Sequence, residues 1–417
     1  MIMDCQVHKF ENDIRLVHKQ VNNTRVIHCG YAIDIGSRDE NINQLGIAHF
    51  WEHMAFKGTQ KRKAYHIISR LDSVGGELNA FTTKEKVFFY ASVLSEHFDM
   101  AVELLTDITF NSIFPEKQVE KERIVILDEM AMYLDNPDDA IQDDFDEVVF
   151  GNHPLGYNIL GTTETMNSIQ KKDFLTFIND NLNNNKIVFS VVGPRSFKET
   201  LKTSGKYIQK IPDHFSDKSR LKPSPRHGHR IAEDKNFGRA YCAIGKEAYS
   251  VKDQDRIPFF MLTNILGGPA MNSRLNLSLR EKYGYVYSVD ASYTSYSDTG
   301  LFGIYFGTEK KYLNRSIKIV LAELKKLREK KMGSLQLHRA KQQIKGQLAI
   351  SEENNTNVML MMGRSLIDLD RVDPLDSVFR QVDRQTSASM SRIAEEMLPE
   401  EDLNYLIFNP VENGNYK

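Results

Sequence analysis

The sequence predicts an α+β protein of two homologous domains, each a mostly antiparallel β-sheet with helices packed on it. Three observations carry this expectation. Runs such as "IRLVHKQ" and "TRVIHCGYAIDIG" alternate with a period near two and are rich in β-branched residues, so they read as strands. Stretches such as "EHFDMAVELLTDITFN" and "PEKQVEKERIVILDEMAMYLD" are long and amphipathic at helical spacing. The order of elements then begins again in the second half of the chain.

Taken in order, the two opening strand runs are expected to pair with each other. A helix follows from Gln44 to Lys57, with Asn43 as N-cap and Gly58 at the C′ position. "KAYHIISRLDSVGG" reads as a second helix ending in glycines, and "ELNAFTT" with "KVFFYASVL" as a hairpin. Two long amphipathic helices come next, the second led by Pro115, where proline is tolerated. Further helices run to about Asp180, and the strand "KIVFSVVG" closes the unit near Gly193. Asp213 to Arg230, "DHFSDKSRLKPSPRHGHR", is polar, basic and without period, and is expected to link a domain of residues 1–212 to one of residues 231–417. Beyond it come the strand "GRAYCAIGKEAY", a helix near "FFMLTNILGG" and the hairpin "YVYSVDASYTSYSDTGLFGIYFGT". Long charged helices from Lys311 to about Leu369, a final helix and the strand "DLNYLIFN" complete the repeat.

Composition narrows the function. The 417 residues carry 54 basic and 56 acidic side chains, a formal charge of −2. No single-sign field is available to attract nucleic acid or an anionic membrane, and no apolar run reaches the length of a membrane span. Cys5, Cys29 and Cys242 are scattered without a CxxC pair, which excludes a disulfide scaffold and fits a reducing compartment. The N-terminal "MIMDCQVHKFENDIRLVHK" has neither the apolar run of a secretory signal nor the composition of a transit peptide, so a cytoplasmic location is expected.

The chemistry concentrates in "GIAHFWEHMAFKG". On a helix His49 and His53, four apart, share one face and can offer two imidazole nitrogens to one zinc ion. Glu52 lies about 60° around the axis from His49. It can reach a water activated by the metal, remove its proton and pass it to a leaving amine. Phe50, Trp51 and Met54 are expected to pack inward while the His-Glu-His edge stays accessible. A lone histidine is more often a satisfied core residue, but an HxxEH arises by chance only about 0.02 times in a chain of this composition. H-x-x-E-H is itself the inverzincin signature.

A catalytic zinc needs a third protein ligand. The helix from Pro115 offers Glu116, Glu120, Glu122, Asp128 and Glu129, among which spacing alone does not choose, although Glu122 and Glu129 share a face two turns apart.

"HFWEH", with Glu129 in "ERIVILDEM" 76 residues after His53, closely resembles the insulinase/pitrilysin family of zinc metallopeptidases. The chain looks most like its short, two-domain branch of processing-peptidase-like proteins. The resemblance implies one Zn2+ per chain held by His49, His53 and Glu129, with Glu52 as general base and Glu122 as an auxiliary group supporting a ligand. "GGELNAFTTKEKVFFYASV" is similar to the family's hairpin, in which Asn79 and Ala80 fall where an edge strand pairs with extended substrate. Val87 and Phe89 depart from the threonine and tyrosine of many relatives. "HPLGYNILGT" also resembles a family segment, with His153 structural. "LREKYGYVYSV" resembles the family's arginine-tyrosine pair, which implies that Arg280 and Tyr287 contact the scissile carbonyl from the second domain and that Tyr287 stabilises the oxyanion. The two domains are expected to face each other around a central cavity.

The resulting expectation is a zinc metalloendopeptidase acting on peptides or unfolded protein, as a homodimer or as a heterodimer with a paralogue. Its rival is a non-catalytic or partner-dependent subunit of a processing-peptidase-like complex. Such relatives lose zinc ligands or the base, whereas this chain keeps them.

Overall fold

The computed structural model describes residues 5–224 and 226–411. Among these described residues eleven strands form two sheets. They are β1 (Cys5–Lys9), β2 (Arg15–Gln20), β3 (Val26–Ile33), β4 (Glu77–Thr82), β5 (Val87–Leu94) and β6 (Ile187–Gly193), then β7 (Arg230–Lys235), β8 (Ala240–Ala248), β9 (Val286–Ser295), β10 (Gly300–Thr308) and β11 (Asn404–Pro410). The helices that matter for the site are α1 (Ile47–Ala55), α2 (Ala64–Asp72), α3 (Phe98–Phe110), α4 (Glu116–Asp135) and α5 (Pro137–Phe150). They are followed by α6 (Thr163–Ser168), α7 (Lys171–Asn181), α8 (Phe197–Ile208), α9 (Arg256–Gly267), α10 (Leu313–Glu329), α11 (Ser334–Glu352) and α12 (Asn355–Leu369). Two further helices, Leu375–Arg384 and Ser387–Met397, stand where the sequence suggested one.

The chain divides into two compact units. The first takes the chain up to Met130, Tyr157–Leu221 and Leu348–Asp376; the second takes Ala131–Gly156, Lys222–Gln347 and the chain from Ser377.

In the first unit the strand order is β1-β2-β6-β3-β5-β4. Every neighbouring pair is antiparallel except β2 and β6. The expected pairing of β2 with β3 is therefore corrected: β6 lies between them, parallel to one and antiparallel to the other. The reason is burial. All seven residues of β6, "IVFSVVG", are buried, and a strand apolar on both faces belongs at the centre of a sheet covered on both sides. Its alternate side chains divide accordingly. Ile187, Phe189 and Val191 join the main core beneath α1 and α3. Val188 and Val192 join Val17 against Val358, Met359, Met362 and Leu366 of α12 on the other face.

The second sheet runs β7-β11-β8-β10-β9, with β7 parallel to β11 and the remaining pairs antiparallel. This is the order and sense of β2-β6-β3-β5-β4, so the duplication read from element order is present in the strand topology. Here α5 supplies Ala140, Ile141 and Phe145 to a core with Ala243, Leu301, Tyr305, Leu406 and Phe408. Each sheet thus has one face covered by a helix from the opposite half of the chain.

The helix carrying HxxEH is shorter than expected. It starts at Ile47, after a 3-10 turn over Ile42–Gln44, and Gly46 rather than Asn43 occupies the N-cap. Gly46 has φ of 91°, a left-handed conformation that glycine adopts without strain. Where an N-cap side chain would serve, the buried Glu40 reaches in and accepts from the Gly46 and Ala48 amides, both at 2.8 Å. The helix ends at Ala55 with Phe56 as C-cap, so Lys57 and not Gly58 takes the C′ position. Phe50, Trp51 and Met54 are fully buried. Phe50 packs edge-on against Phe174 of α7, and Trp51 against Phe89 and Phe177. Each such side chain contributes about 1.5–3 kcal/mol by burial and locks the roll of the helix.

Candidate metal centre

With its aromatic face fixed in the core, α1 can present His49, Glu52 and His53 only on the side facing α4. Three donors meet there. His49 Nε2 lies 3.3 Å and His53 Nε2 3.6 Å from the same oxygen, Oε2 of Glu129. The two imidazole rings are 4.5 Å apart. One ligand atom from each of His49, His53 and Glu129 falls within 4.8 Å of the others, and all three residues belong to the first unit. No other such group of three or more His, Cys, Asp or Glu donors occurs among the described residues.

The surrounding groups hold this cluster. Glu122, one helical stretch before Glu129 and buried, approaches His53 Nδ1 at 3.0 Å through one oxygen. Its other oxygen accepts from Lys57 Nζ at 2.7 Å. That arrangement turns the free Nε2 of His53 toward Glu129. Burial alone would raise the Glu122 carboxyl, but the hydrogen bonds and charges of His53 and Lys57 outweigh it and hold it below the usual value. Glu129 is likewise held below its usual value, chiefly by its hydrogen bond with His49. Glu52 Oε2 accepts the Thr82 hydroxyl at 2.5 Å and stands 3.8 Å from His49 Nδ1, too far for a hydrogen bond. Glu52 is therefore oriented by β4 and not consumed by the histidines.

Of the five candidate acids on α4, Glu122 and Glu129 turn toward the histidines. Asp128 is exposed, Glu120 pairs with Arg123, and Glu116 lines a separate surface hollow with Glu120. Asn79 and Ala80 lie on β4, which is the edge of its sheet and pairs only with β5. Asn79 is exposed, and Leu78 and Ala80 pack on the core, so the strand's open backbone edge runs beside α1. Val87 and Phe89 are both buried in β5. His153 accepts the Leu155 amide at 3.2 Å, a structural role. In the second unit Arg280 lies in a π-helical turn over Asn276–Glu281 and sits 5.9 Å above the ring of Tyr287, which is 80% exposed on β9. β9 is the edge strand of the second sheet, the topological counterpart of β4.

Three members of this environment are absent from the motif reading. Lys57 follows His53 by one turn, and that spacing was a usable signal. Thr82 and Glu40 are brought in by tertiary structure, and no local pattern marks them.

Two imidazoles and a carboxylate converge on one point, with a carboxylate behind one imidazole and a second carboxylate on the same helix, an arrangement that could hold a single metal ion on an α+β scaffold. The comparisons with known proteins identify its lineage. The chain belongs to the insulinase family, peptidase family M16: its family model matches residues 15–163, and that of the peptidase M16 inactive domain matches residues 168–344. An uncharacterized zinc protease of Bacillus subtilis is 32% identical over 94% of this chain and 95% of its own length. The mitochondrial-processing peptidase subunit beta of Saccharomyces cerevisiae is 29% identical over 91% of this chain and 85% of its own. Among solved structures, a protease from Helicobacter pylori matches with a TM-score of 0.90 at 20% identity, over 98% of this chain and 100% of that one. A peptidase M16 inactive domain from Pseudomonas fluorescens matches with the same TM-score at 16% identity, over 99% and 100%. These two establish the likeness of fold alone. Among the described residues no helix is long and apolar enough to cross a membrane.

Proposed function

We propose that this chain is a zinc-dependent metalloendopeptidase that binds one zinc ion and hydrolyses extended peptides or unfolded segments. The observation that carries the reading is the convergence of His49, His53 and Glu129 donor atoms within 4.8 Å of one another. Two nitrogen donors and one carboxylate suit zinc and leave a position open for reactants. Bound there, zinc supplies Lewis acidity to the reacting oxygen atoms. Glu52 is the general base: it takes the proton of the attacking water and returns it to the leaving amine. The Thr82 hydroxyl keeps that carboxylate oriented, and Glu122 with Lys57 keeps His53 oriented. Substrate adds as a further strand along β4, with Asn79 and Ala80 at the contact, so that main-chain hydrogen bonds bind it without a strict sequence requirement. Arg280 and Tyr287, exposed and stacked on each other, are the groups the second unit offers to the substrate carbonyl.

The names of the zinc protease and processing-peptidase relatives support the metal and the reaction class. "Subunit beta" in one of them supports an assembly, either a homodimer or a heterodimer with a paralogue, and supports a second reading in which this chain acts only with a partner. Zinc measured by mass spectrometry and a quenched-peptide assay on the same sample separate the readings. Wild type is expected to hold one zinc and cleave; Glu52→Gln is expected to hold zinc and lose hydrolysis by at least a hundredfold, the scale of a general base. Metal without turnover in wild type favours the partner-dependent reading. Full activity in Glu52→Gln would falsify the assignment of the base.

A further inference from the structure

We propose that the second unit carries a pocket for a small, multiply charged anion of phosphate or sulfate chemistry, independent of the metal centre and of the peptidase reading. A cavity of about 650 Å³ opens between the π-helical turn, the outer face of α10 and the loop leading into α11. Its cations are Arg274, Lys282, Lys326, Lys330 and Lys331, against one carboxylate, Glu323. Five positive charges facing one negative charge is a local excess in a chain whose net charge is −2.

The pocket has an organised base. Glu323 is buried, and its two oxygens hold two of the cations: Lys326 Nζ at 2.6 Å and Arg274 at 3.9 Å. Burial holds the Arg274 guanidinium below its usual value, only partly offset by Glu323. Lys330 and Lys331 are exposed at the rim. Lys282 lies 5.0 Å from the ring centre of Tyr283, which also lines the cavity. Leu277, Ile319 and Ala322 give the lining an apolar part.

Three properties define the ligand. The volume lies in the range of small-molecule pockets, not of a nucleic-acid track. Four of the five cations are lysines, compact point charges that serve a many-oxygened anion better than the bidentate geometry of a single carboxylate, which favours arginine. The apolar lining and Tyr283 accommodate a planar or apolar body between the charges. Binding relieves repulsion among the cations, so affinity is steeply dependent on salt.

The test is fluorescence anisotropy of the full chain with pyrenetrisulfonate, a planar trianion that does not chelate zinc, followed by displacement with tripolyphosphate, orthophosphate or octaglutamate. The expected result is one saturable site per chain, displaced by tripolyphosphate at least tenfold more effectively than by orthophosphate. Lys330→Gln combined with Lys331→Gln is expected to weaken binding about tenfold, in keeping with the loss of charged hydrogen bonds. Lys198→Gln with Lys202→Gln, which removes two exposed charges on α8, leaves binding unchanged. Absence of saturable binding, or equal weakening by both variant pairs, overturns the site. Tighter displacement by octaglutamate overturns the ligand class in favour of an acidic peptide.

Discussion

At the scale of single residues, the candidate centre is held by groups that stand behind its donor atoms. Glu122 fixes which nitrogen of His53 is free, and Lys57 fixes Glu122. Partners of this kind are worth roughly ten- to a hundredfold in metal affinity. Glu122→Gln is therefore expected to weaken zinc binding by that factor in a competition titration with a chelator, while leaving the folded state intact by circular dichroism. Glu40 acts one step further out. Burial pushes its carboxyl up to about 8, against the two amide hydrogen bonds that favour the charged form. Glu40→Ala strands the Gly46 and Ala48 amides at the start of α1 and is expected to cost about 1–3 kcal/mol in urea unfolding. A neutral outcome there would remove Glu40 from the account of how α1 is held. His49, Glu52 and His53 were legible because they share one helix face. From spacing alone Glu129 and Glu122 were legible as candidates but not as a choice, which came from the family resemblance, since only tertiary packing of α4 on α1 separates them from Glu116, Glu120 and Asp128. Thr82 and Glu40 carry no periodic or spacing signal at all.

At the scale of elements, an ion network in the first unit secures the segment that leads into α1. Arg220 donates to Asp34 at 2.8 Å, to both oxygens of Asp39 at 2.7 and 2.9 Å and to the Glu85 carbonyl at 2.9 Å. Arg38, buried, pairs with Glu85 at 2.7 Å. Arg220→Ala removes the cation shared by Asp34, Asp39 and Glu85, with an expected loss of about 3–5 kcal/mol, the scale of breaking a buried ion pair. The same network sets an acid limit. Burial alone would raise the Asp34 carboxyl, but the charges of Arg220 and Lys86 outweigh it and hold it below the usual value. The unfolded chain takes up that proton at higher pH than the folded chain. The associated stability is thus complete above the ordinary carboxylate range, about pH 4, and is lost as pH falls through it toward the lowered folded value. Thermal midpoints measured down an acid series should fall more steeply in wild type than in Asp34→Asn. The elements that escaped the sequence reading have a common cause. β7, "RIAEDK", is almost wholly exposed and polar, and β1 is half exposed, so neither shows the alternation by which β2, β3 and β5 were found. The β2–β3 pairing failed because β6 arrives from far along the chain, and only its double-sided apolarity hinted at a central place.

At the scale of the whole molecule, the duplication was legible as an order of elements and is realised as a shared strand topology. The exchange of covering helices was not legible, because amphipathic segments such as α5 and α12 show that a face must be buried, not which sheet buries it. A chain ending at residue 221 keeps all six strands of the first sheet but lacks α12, leaving Val17, Val188 and Val192 uncovered. Such a fragment is expected to bind the dye ANS and to elute as aggregates, and a peptide spanning Asn355–Leu369 is expected to reduce both. A monomeric, dye-silent fragment would show that α12 is dispensable to the sheet.

That helix also sets a clock on biosynthesis. The last strand of the first sheet ends at Gly193, and α12 begins at Asn355, 162 residues later. At ordinary elongation rates of about 5–20 residues per second, the outer face of a complete sheet waits roughly 8–30 s for its cover to leave the ribosome. During that interval a strip of valines is open to any apolar surface nearby, so the nascent chain, more than the finished protein, is the form of this molecule most in need of a chaperone.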